Sequence, residues 1–358
     1  MQARRSEEIE SLTGLRGVAA LMVVLYHANE SFIKAAGTGA MMFHGRLFVD
    51  LFYVLSGFVM CHVYVTSKEI SWPKFFVARF ARIWPLHIAT ALFAALGLFA
   101  LGGPSSPELN FGQFIRELTL TQAMPFIWRD TIWNSPSWSI SVEFWCYFLV
   151  FPFAYIGAKR LSTTTIVVMG FSIFLVALLM LSLLPLNPAR GGGAFIRAAS
   201  GFLAGWSVWK LCGSEVQART KSVSAPILIL CFFGLTQFYS RDISDPWYAL
   251  LIAPAIVISV VKYDSIARRW LESRPVVFLG TISYSIYLIH PLLLKSVQIA
   301  FSKLGLIHFG FATFASCLLI LLIPVSHLSY RLFEMPTRAL IRDLISRPAP
   351  KLPPAEAQ

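Results

Sequence analysis

Apolar residues run through this chain in blocks of about twenty, each closed by a basic or Pro/Gly-rich stretch. A helix rises about 1.5 Å per residue, so a block of that length reaches across a hydrocarbon core of roughly 30 Å. On this criterion the pattern predicts ten spanning helices, at 13–33, 45–65, 83–102, 138–157, 164–185, 195–211, 224–240, 247–262, 276–299 and 309–330. The expected fold class is therefore all-α: a polytopic membrane bundle of about ten transmembrane helices. One membrane domain fills 1–335, and 336–358 is a tail whose Pro-rich end, RPAPKLPPAEAQ, cannot bury enough apolar surface to order fully. Within the long 103–137 connection, 111–124 reads as an interfacial helix, with Trp128 and Trp133 suited to the membrane surface.

Composition agrees with the pattern: 56% of the 358 residues are hydrophobic and 13% charged. The net charge of +12 would suit nucleic acid, but its placement says otherwise. Twenty of the thirty Lys and Arg fall in segments that share a side if the N-terminus is cytoplasmic. The positive-inside rule then puts both termini in the cytoplasm and 103–137 outside. Topology accounts for the charge, and no nucleic-acid partner is expected. The five cysteines stand singly, so neither a metal nor a disulfide is implied. The opening MQARRSEEIE is too charged for a cleaved signal peptide, and the first helix is expected to remain as an anchor.

Ionisable residues inside spans are costly and mark function by default. Arg16 and His27 are eleven residues apart, about three helical turns, and so share one face. The plain alternative is a snorkelling arginine and a histidine that bonds a neighbouring helix. Asp50, in the second span, and Glu143, in the fourth, fall at a depth comparable to His27. An Asp50–His27 pairing would orient the imidazole. Ser139, Glu143 and Tyr147 repeat at four-residue spacing on one face, as do Ser283, Tyr287 and His290 at i, i+4, i+7. For the second set, interhelical hydrogen bonding is the competing reading, and Pro291 can kink that helix. In the connection SWPKFFVARFARIWP, Arg79 and Arg82 are three apart: an anion clamp, or a plain positive-inside loop. Ser56-Gly57 reads as close helix packing, Glu334 as a partner of Arg331 or Arg338, and His44, His62, His87, His308 and His327 as structural.

Taken in order, R-x10-H at 16–27, FVDLFYVLSGF at 48–58, RFARIWP at 79–85, SWSISVEFWCYF at 137–148, LGTISYSIYLIH at 279–290 and YRLFEMP at 330–336 resemble the acyltransferase-3 family of integral membrane acyltransferases. One departure is His87, where an aromatic is expected after RIWP. The resemblance implies a bacterial inner-membrane, multi-pass O-acyltransferase with acetyl-CoA or another acyl-CoA as donor and no metal. The acceptor would be a hydroxyl of a glycan or glycolipid such as a surface polysaccharide or lipopolysaccharide, met on the outer side amid membrane lipids. It also implies His27 as general base, Glu143 as support of the transfer site, and Arg16, Arg79 and Arg82 on the CoA; Asp50 joins the catalytic set through its expected pairing with His27. Ser139, Tyr147, Ser283, Tyr287 and His290 are the expected substrate contacts. No Ser or Cys has a nucleophile's surroundings, so direct transfer from the thioester is expected. The reading from another class is a transporter or flippase of a glycan or acylated small molecule, which ten helices with buried charges also fit; a transporter has no evident use for the arginine pair.

Overall fold

The computed structural model describes residues 9–36, 45–66, 69–100, 110–125, 133–213, 220–221, 253–258, 260–261, 263–264 and 266–346. The first part of the bundle is α1 (Glu10–Ala36), α2 (Phe48–Tyr64), α3 (Trp72–Ala100) and α4 (Phe111–Leu118). Next, α5 (Ser137–Trp145) runs through a π turn, Cys146–Val150, into α6 (Phe151–Arg160). Then come α7 (Thr163–Leu183), α8 (Gly191–Cys212), α9 (Ile266–Leu271), α10 (Arg274–Thr281) and α11 (Ser283–Lys303). Last, α12 (Gly310–Ser329) continues through a second π turn, Tyr330–Glu334, into α13 (Met335–Ser346). A two-residue parallel pairing of Thr220–Lys221 with Tyr263–Asp264 is the one strand contact among the described residues.

The class is all-helical as expected. Among the described residues seven helical stretches are long and apolar enough to cross a membrane. The Gly-rich start of α8 and its Arg197 lower its hydropathy, and it is packed inside between α2 and α7 rather than set against lipid. The expected span 224–240 lies outside the described residues, and of 247–262 only 253–258 and 260–261 are described, all helical.

Three boundaries move. The third helix starts at Trp72, so Arg79 and Arg82 sit in its first turns and not in a loop. The ninth expected span is two helices, broken at Ile282, while α11 continues through Pro291. The tenth runs on to Ser346 and packs against α3, so the first part of the expected tail is helix; 347–358 lie outside the described residues. The interfacial segment is also shorter and more deeply seated than expected. Asn110 caps α4 by accepting from the Gln113 amide at 3.0 Å. Trp84 Nε1 donates to the Leu118 carbonyl at 3.0 Å and His87 Nε2 to the Glu117 carbonyl at 2.6 Å. His87 is thus structural, as its lack of a second signal suggested.

The bundle is held by apolar packing in two clusters, and α1 lies between them. Leu12, Leu15, Ala19 and Val23 belong to the cluster shared with α2, α3, α5 and α8. Ala20, Val24, Ala28 and Phe32, on its other face, pack on α11 and α12. Glycine lets the helices meet backbone to backbone, as small residues do in membranes. A Cβ on Gly57 would stand 1.9 Å from the Phe202 carbonyl oxygen of α8, and one on Gly280 1.8 Å from that of Thr13 in α1. Outward-facing Phe93, Leu183 and Ile320 are exposed, as lipid-facing side chains are.

Candidate functional site

A cavity of about 350 Å³ opens between α1, α2, α3, α5 and α11. That size is in the roughly 300–1,000 Å³ range of small-molecule sites. At one end it is lined by Arg16 from the start of α1, His62 from the end of α2 and Arg79 and Arg82 from the start of α3. These helix ends share one side of the bundle because successive helices alternate in direction. Arg79 donates from Nη2 to the Tyr64 hydroxyl at 3.2 Å, and its guanidinium stands 5.7 Å from that ring's centroid and 5.8 Å from Tyr147's. Its Nε is buried with no hydrogen-bond partner among the described residues. A buried donor left open is expensive and favours an acceptor-rich ligand.

Glu143 lines the same cavity. Its Oε1 accepts from Ser56 Oγ at 2.5 Å and from Tyr147 OH at 2.6 Å, and Tyr147 also reaches Ser56 at 3.2 Å. The π turn that begins at Cys146, three residues after Glu143, re-aims the backbone and carries Tyr147; such turns recur at functional sites. Ser56, expected to serve close packing, therefore lines the candidate site instead. That reading holds for its neighbour Gly57, which meets α8, but the serine side chain points to the glutamate. The four-residue spacing of Glu143 and Tyr147 was a true signal; nothing in the sequence tied Ser56 to them.

Further along, Ser139 Oγ and Tyr287 OH share a hydrogen bond of 2.7 Å, and both line the cavity with Ser283. This joins the two hydroxyl stripes expected on separate helices. Tyr284, beside them, donates to the Ile83 carbonyl at 2.6 Å and ties α11 to α3. Beyond Tyr287 stands a histidine pair: His290 Nε2 lies 3.1 Å from His27 Nδ1, with ring centroids 5.1 Å apart. Neither imidazole is part of the cavity lining.

The expected Asp50–His27 pairing does not form. Asp50 accepts from Arg197 Nε at Oδ1 and from Arg197 Nη2 at Oδ2, both at 2.6 Å, in a bidentate fork. Both residues are buried, and the guanidinium also faces the Trp138 ring at 5.8 Å. Asp50's face of α2 turns toward α8, whose arginine is the stronger partner for a buried carboxylate, while Glu143 meets α2 at Ser56, six residues further along the helix. The partner of His27 is instead His290. Glu334 pairs with Arg338, one of the two partners expected, and accepts from Ser285 Oγ at 2.8 Å.

These features define a polytopic membrane protein with an ionisable, hydroxyl-rich interior, the architecture of an integral membrane enzyme. Comparison with known proteins makes the assignment specific: residues 9–331 match the acyltransferase domain of the acyltransferase-3 family, and the chain belongs to that family. It is therefore an acyltransferase. The chain is 28% identical over 323 residues to the acyltransferase MdmB of Streptomyces mycarofaciens, covering 81% of this chain and 80% of that protein. It is 23% identical over 316 residues to the peptidoglycan O-acetyltransferase OatA of Listeria monocytogenes, covering 79% of this chain and 49% of that one. A stretch of 100 residues is 43% identical to protein 2 in the picA locus of Rhizobium radiobacter, covering 26% of this chain and 49% of that one. The chain thus spans about half the length of the last two relatives. No solved structure is found to match it.

Proposed function

We propose that this enzyme takes an acyl group, in the first instance acetyl, from acyl-CoA on the cytoplasmic side of the bacterial inner membrane and transfers it to a hydroxyl of a glycan or glycoconjugate on the outer side. The observation that carries this reading is the make-up of one cavity, lined by arginines and by the Ser139–Tyr287 hydroxyl pair, with two imidazoles standing beyond Tyr287 outside the lining. Both termini and the arginine end are then cytoplasmic, in keeping with the basic connections on that side. The relatives named as O-acetyltransferases support acetyl as the group transferred and a hydroxyl as its acceptor.

The roles follow from the chemistry of each group. Arg16, Arg79 and Arg82 hold the phosphates of the donor, Arg79 and Arg82 with planar forks that suit phosphate oxygens. A cavity of about 350 Å³ has room for a thioester arm but not for an oligosaccharide, so the acceptor hydroxyl enters from the far end. Glu143 keeps the Ser56 and Tyr147 hydroxyls oriented beside the arm, and Ser139, Tyr287 and Ser283 line its path. His27 takes the proton of the acceptor hydroxyl as that oxygen attacks the thioester carbonyl. The C–S bond breaks, the ester forms, and the proton passes to the departing thiolate, with no acyl-enzyme intermediate. Asp50 acts at a distance, by holding α8 against α2 through Arg197.

The test is His27→Gln, compared with His27→Ala, in protein reconstituted in lipid. Loss of a general base typically lowers rate by 10²–10⁴. The Gln variant is expected to lose transfer by that factor, to strip the ester from surface glycans of the producing cell, and to keep its acyl-CoA affinity. Near-normal ester content in cells carrying the Gln variant overturns the assignment.

A further inference from the structure

The dipeptide His290-Pro291 explains the histidine pair. In a helix each amide N–H bonds the carbonyl four residues back. Proline has no N–H. Pro291, inside α11, therefore leaves the Tyr287 carbonyl without its usual donor. His290 fills the gap: its Nδ1 stands 2.7 Å from Tyr287 O. A carbonyl oxygen only accepts, so Nδ1 of His290 carries a proton. His290 is 1% exposed, and the hydrogen bonds of both ring nitrogens go to uncharged groups. A charge on it would be buried without a counter-ion, so the ring is neutral. A neutral imidazole has one N–H and one lone pair. The lone pair of His290 is then on Nε2, which faces Nδ1 of His27 at 3.1 Å. For that contact to be a hydrogen bond, His27 must donate from Nδ1. The ring also has a hydrogen bond with the Val23 carbonyl one turn back on α1. That carbonyl only accepts and therefore draws on the same Nδ1–H, so the lone pair of His27 is left on Nε2.

We propose that His290 is a positioning residue that locks His27 in the Nδ1–H tautomer, so that Nε2 of His27 is the atom that takes the proton of the acceptor hydroxyl. This rests on the reading of His27 as the general base. In the transfer step the proton leaves the acceptor oxygen for Nε2. The imidazolium so formed keeps its Nδ1–H on the His290 lone pair and returns the Nε2 proton to the departing thiolate. His290 ends the cycle unchanged. Aspartate-type partners add a negative charge behind the base; here a neutral ring orients it instead, and the Tyr287 carbonyl orients that ring in turn. The order Tyr287-x-x-His290-Pro291 thus works as a unit: the proline frees an acceptor, the histidine three residues on consumes it, and the far nitrogen presents a lone pair to α1.

The experiment uses the full chain, labelled with [15N]histidine and held in lipid nanodiscs, with the His27 signals assigned by their loss in His27→Gln. Nitrogen shifts separate a protonated from a bare ring nitrogen. The wild type is expected to show His27 with Nδ1 protonated and Nε2 bare. His290→Leu removes the acceptor; His27 is expected to move toward a mixture of tautomers, and kcat to fall about 10²-fold with KM for acyl-CoA unchanged. His290→Gln puts an amide oxygen near the place of Nε2 and is expected to recover most of the rate and the Nδ1–H tautomer. Pro291→Ala gives the Tyr287 carbonyl a competing N–H and is expected to shift the His27 tautomer part of the way. An Nε2–H tautomer of His27 in the wild type overturns the proposal, even if His290→Leu fails to fold. So does a His290→Gln variant as slow as His290→Leu. If the tautomer follows His290 as described while His27→Gln keeps full turnover, the positioning geometry stands and it is the general-base reading that falls.

Discussion

The buried Asp50–Arg197 fork gives Asp50 a structural task. Asp50 is 1% and Arg197 6% exposed, and two bonds of 2.6 Å join them across α2 and α8. Asp50→Ala strands a guanidinium whose remaining contacts are the Pro188 carbonyl at 3.3 Å and the Trp138 ring. Breaking a buried pair on one side costs about 3–5 kcal/mol. At about 1.4 kcal/mol per factor of ten, that lowers the folded-to-unfolded ratio at least a hundredfold. Asp50→Asn keeps an acceptor oxygen and should cost less, on the order of 1.5–3 kcal/mol. Asp50→Leu with Arg197→Met removes both charges and replaces them with apolar volume, which is often close to neutral. The expected ranking is therefore wild type and double variant together, then Asp50→Asn, then Asp50→Ala. Thermal unfolding in detergent, scored by the monodisperse fraction, reads it. Turnover per folded molecule in the double variant should stay within a few-fold of wild type. A double variant that is stable yet inactive would refute this reasoning and return Asp50 to the chemistry.

Three further outcomes are expected. Replacing both Arg79 and Arg82 by Ala should weaken acyl-CoA binding more than acceptor binding, and Lys at both should restore only part of it because a point charge lacks the guanidinium fork; titration calorimetry at two salt concentrations checks this. Burial pushes the Glu117 carboxyl up to about 8, against the pull of hydrogen bonds from Ser137 and the Trp133 and Asn134 amides. The folded state then holds a proton that the unfolded chain has lost above about 4.5. The stability that this carboxyl contributes is full below that value and is lost as pH rises through about 8. Melting curves of Glu117→Gln should accordingly fall less between pH 7 and 9 than those of the wild type. Gly57→Val puts a Cβ 1.9 Å from the Phe202 carbonyl and should force α2 from α8, with a loss of about 1–3 kcal/mol or more and displacement of Ser56 from Glu143; yield of folded monomer and residual turnover measure it.

The sequence by itself determined what depends on one helix at a time. Hydropathy marks the spans because a membrane requires every backbone group to be satisfied within its own helix. Helical period then fixes which residues of one span share a face, and so Glu143 with Tyr147, and Ser283 with Tyr287 and His290, were legible before any fold. The arginines were legible as a neighbouring pair, although the loop assigned to them is the start of α3. What depends on how one helix is turned toward another was decided only by the tertiary structure. The expected Asp50–His27 pairing rested on depth alone, and depth leaves rotation about the helix axis free. Packing through Gly57 against α8 points Asp50 at Arg197 and leaves His27 to His290, a residue 263 positions away. Ser56 joins Glu143 for the same reason, across 87 residues. The π turns at 146–150 and 330–334 and the break at Ile282 carry no mark in the sequence pattern, because each shifts side chains by a fraction of a turn without changing the hydropathy of its span. Arg16, Arg79, Arg82 and Glu143 thus line one cavity, while His27–His290 and Asp50–Arg197 pair outside it.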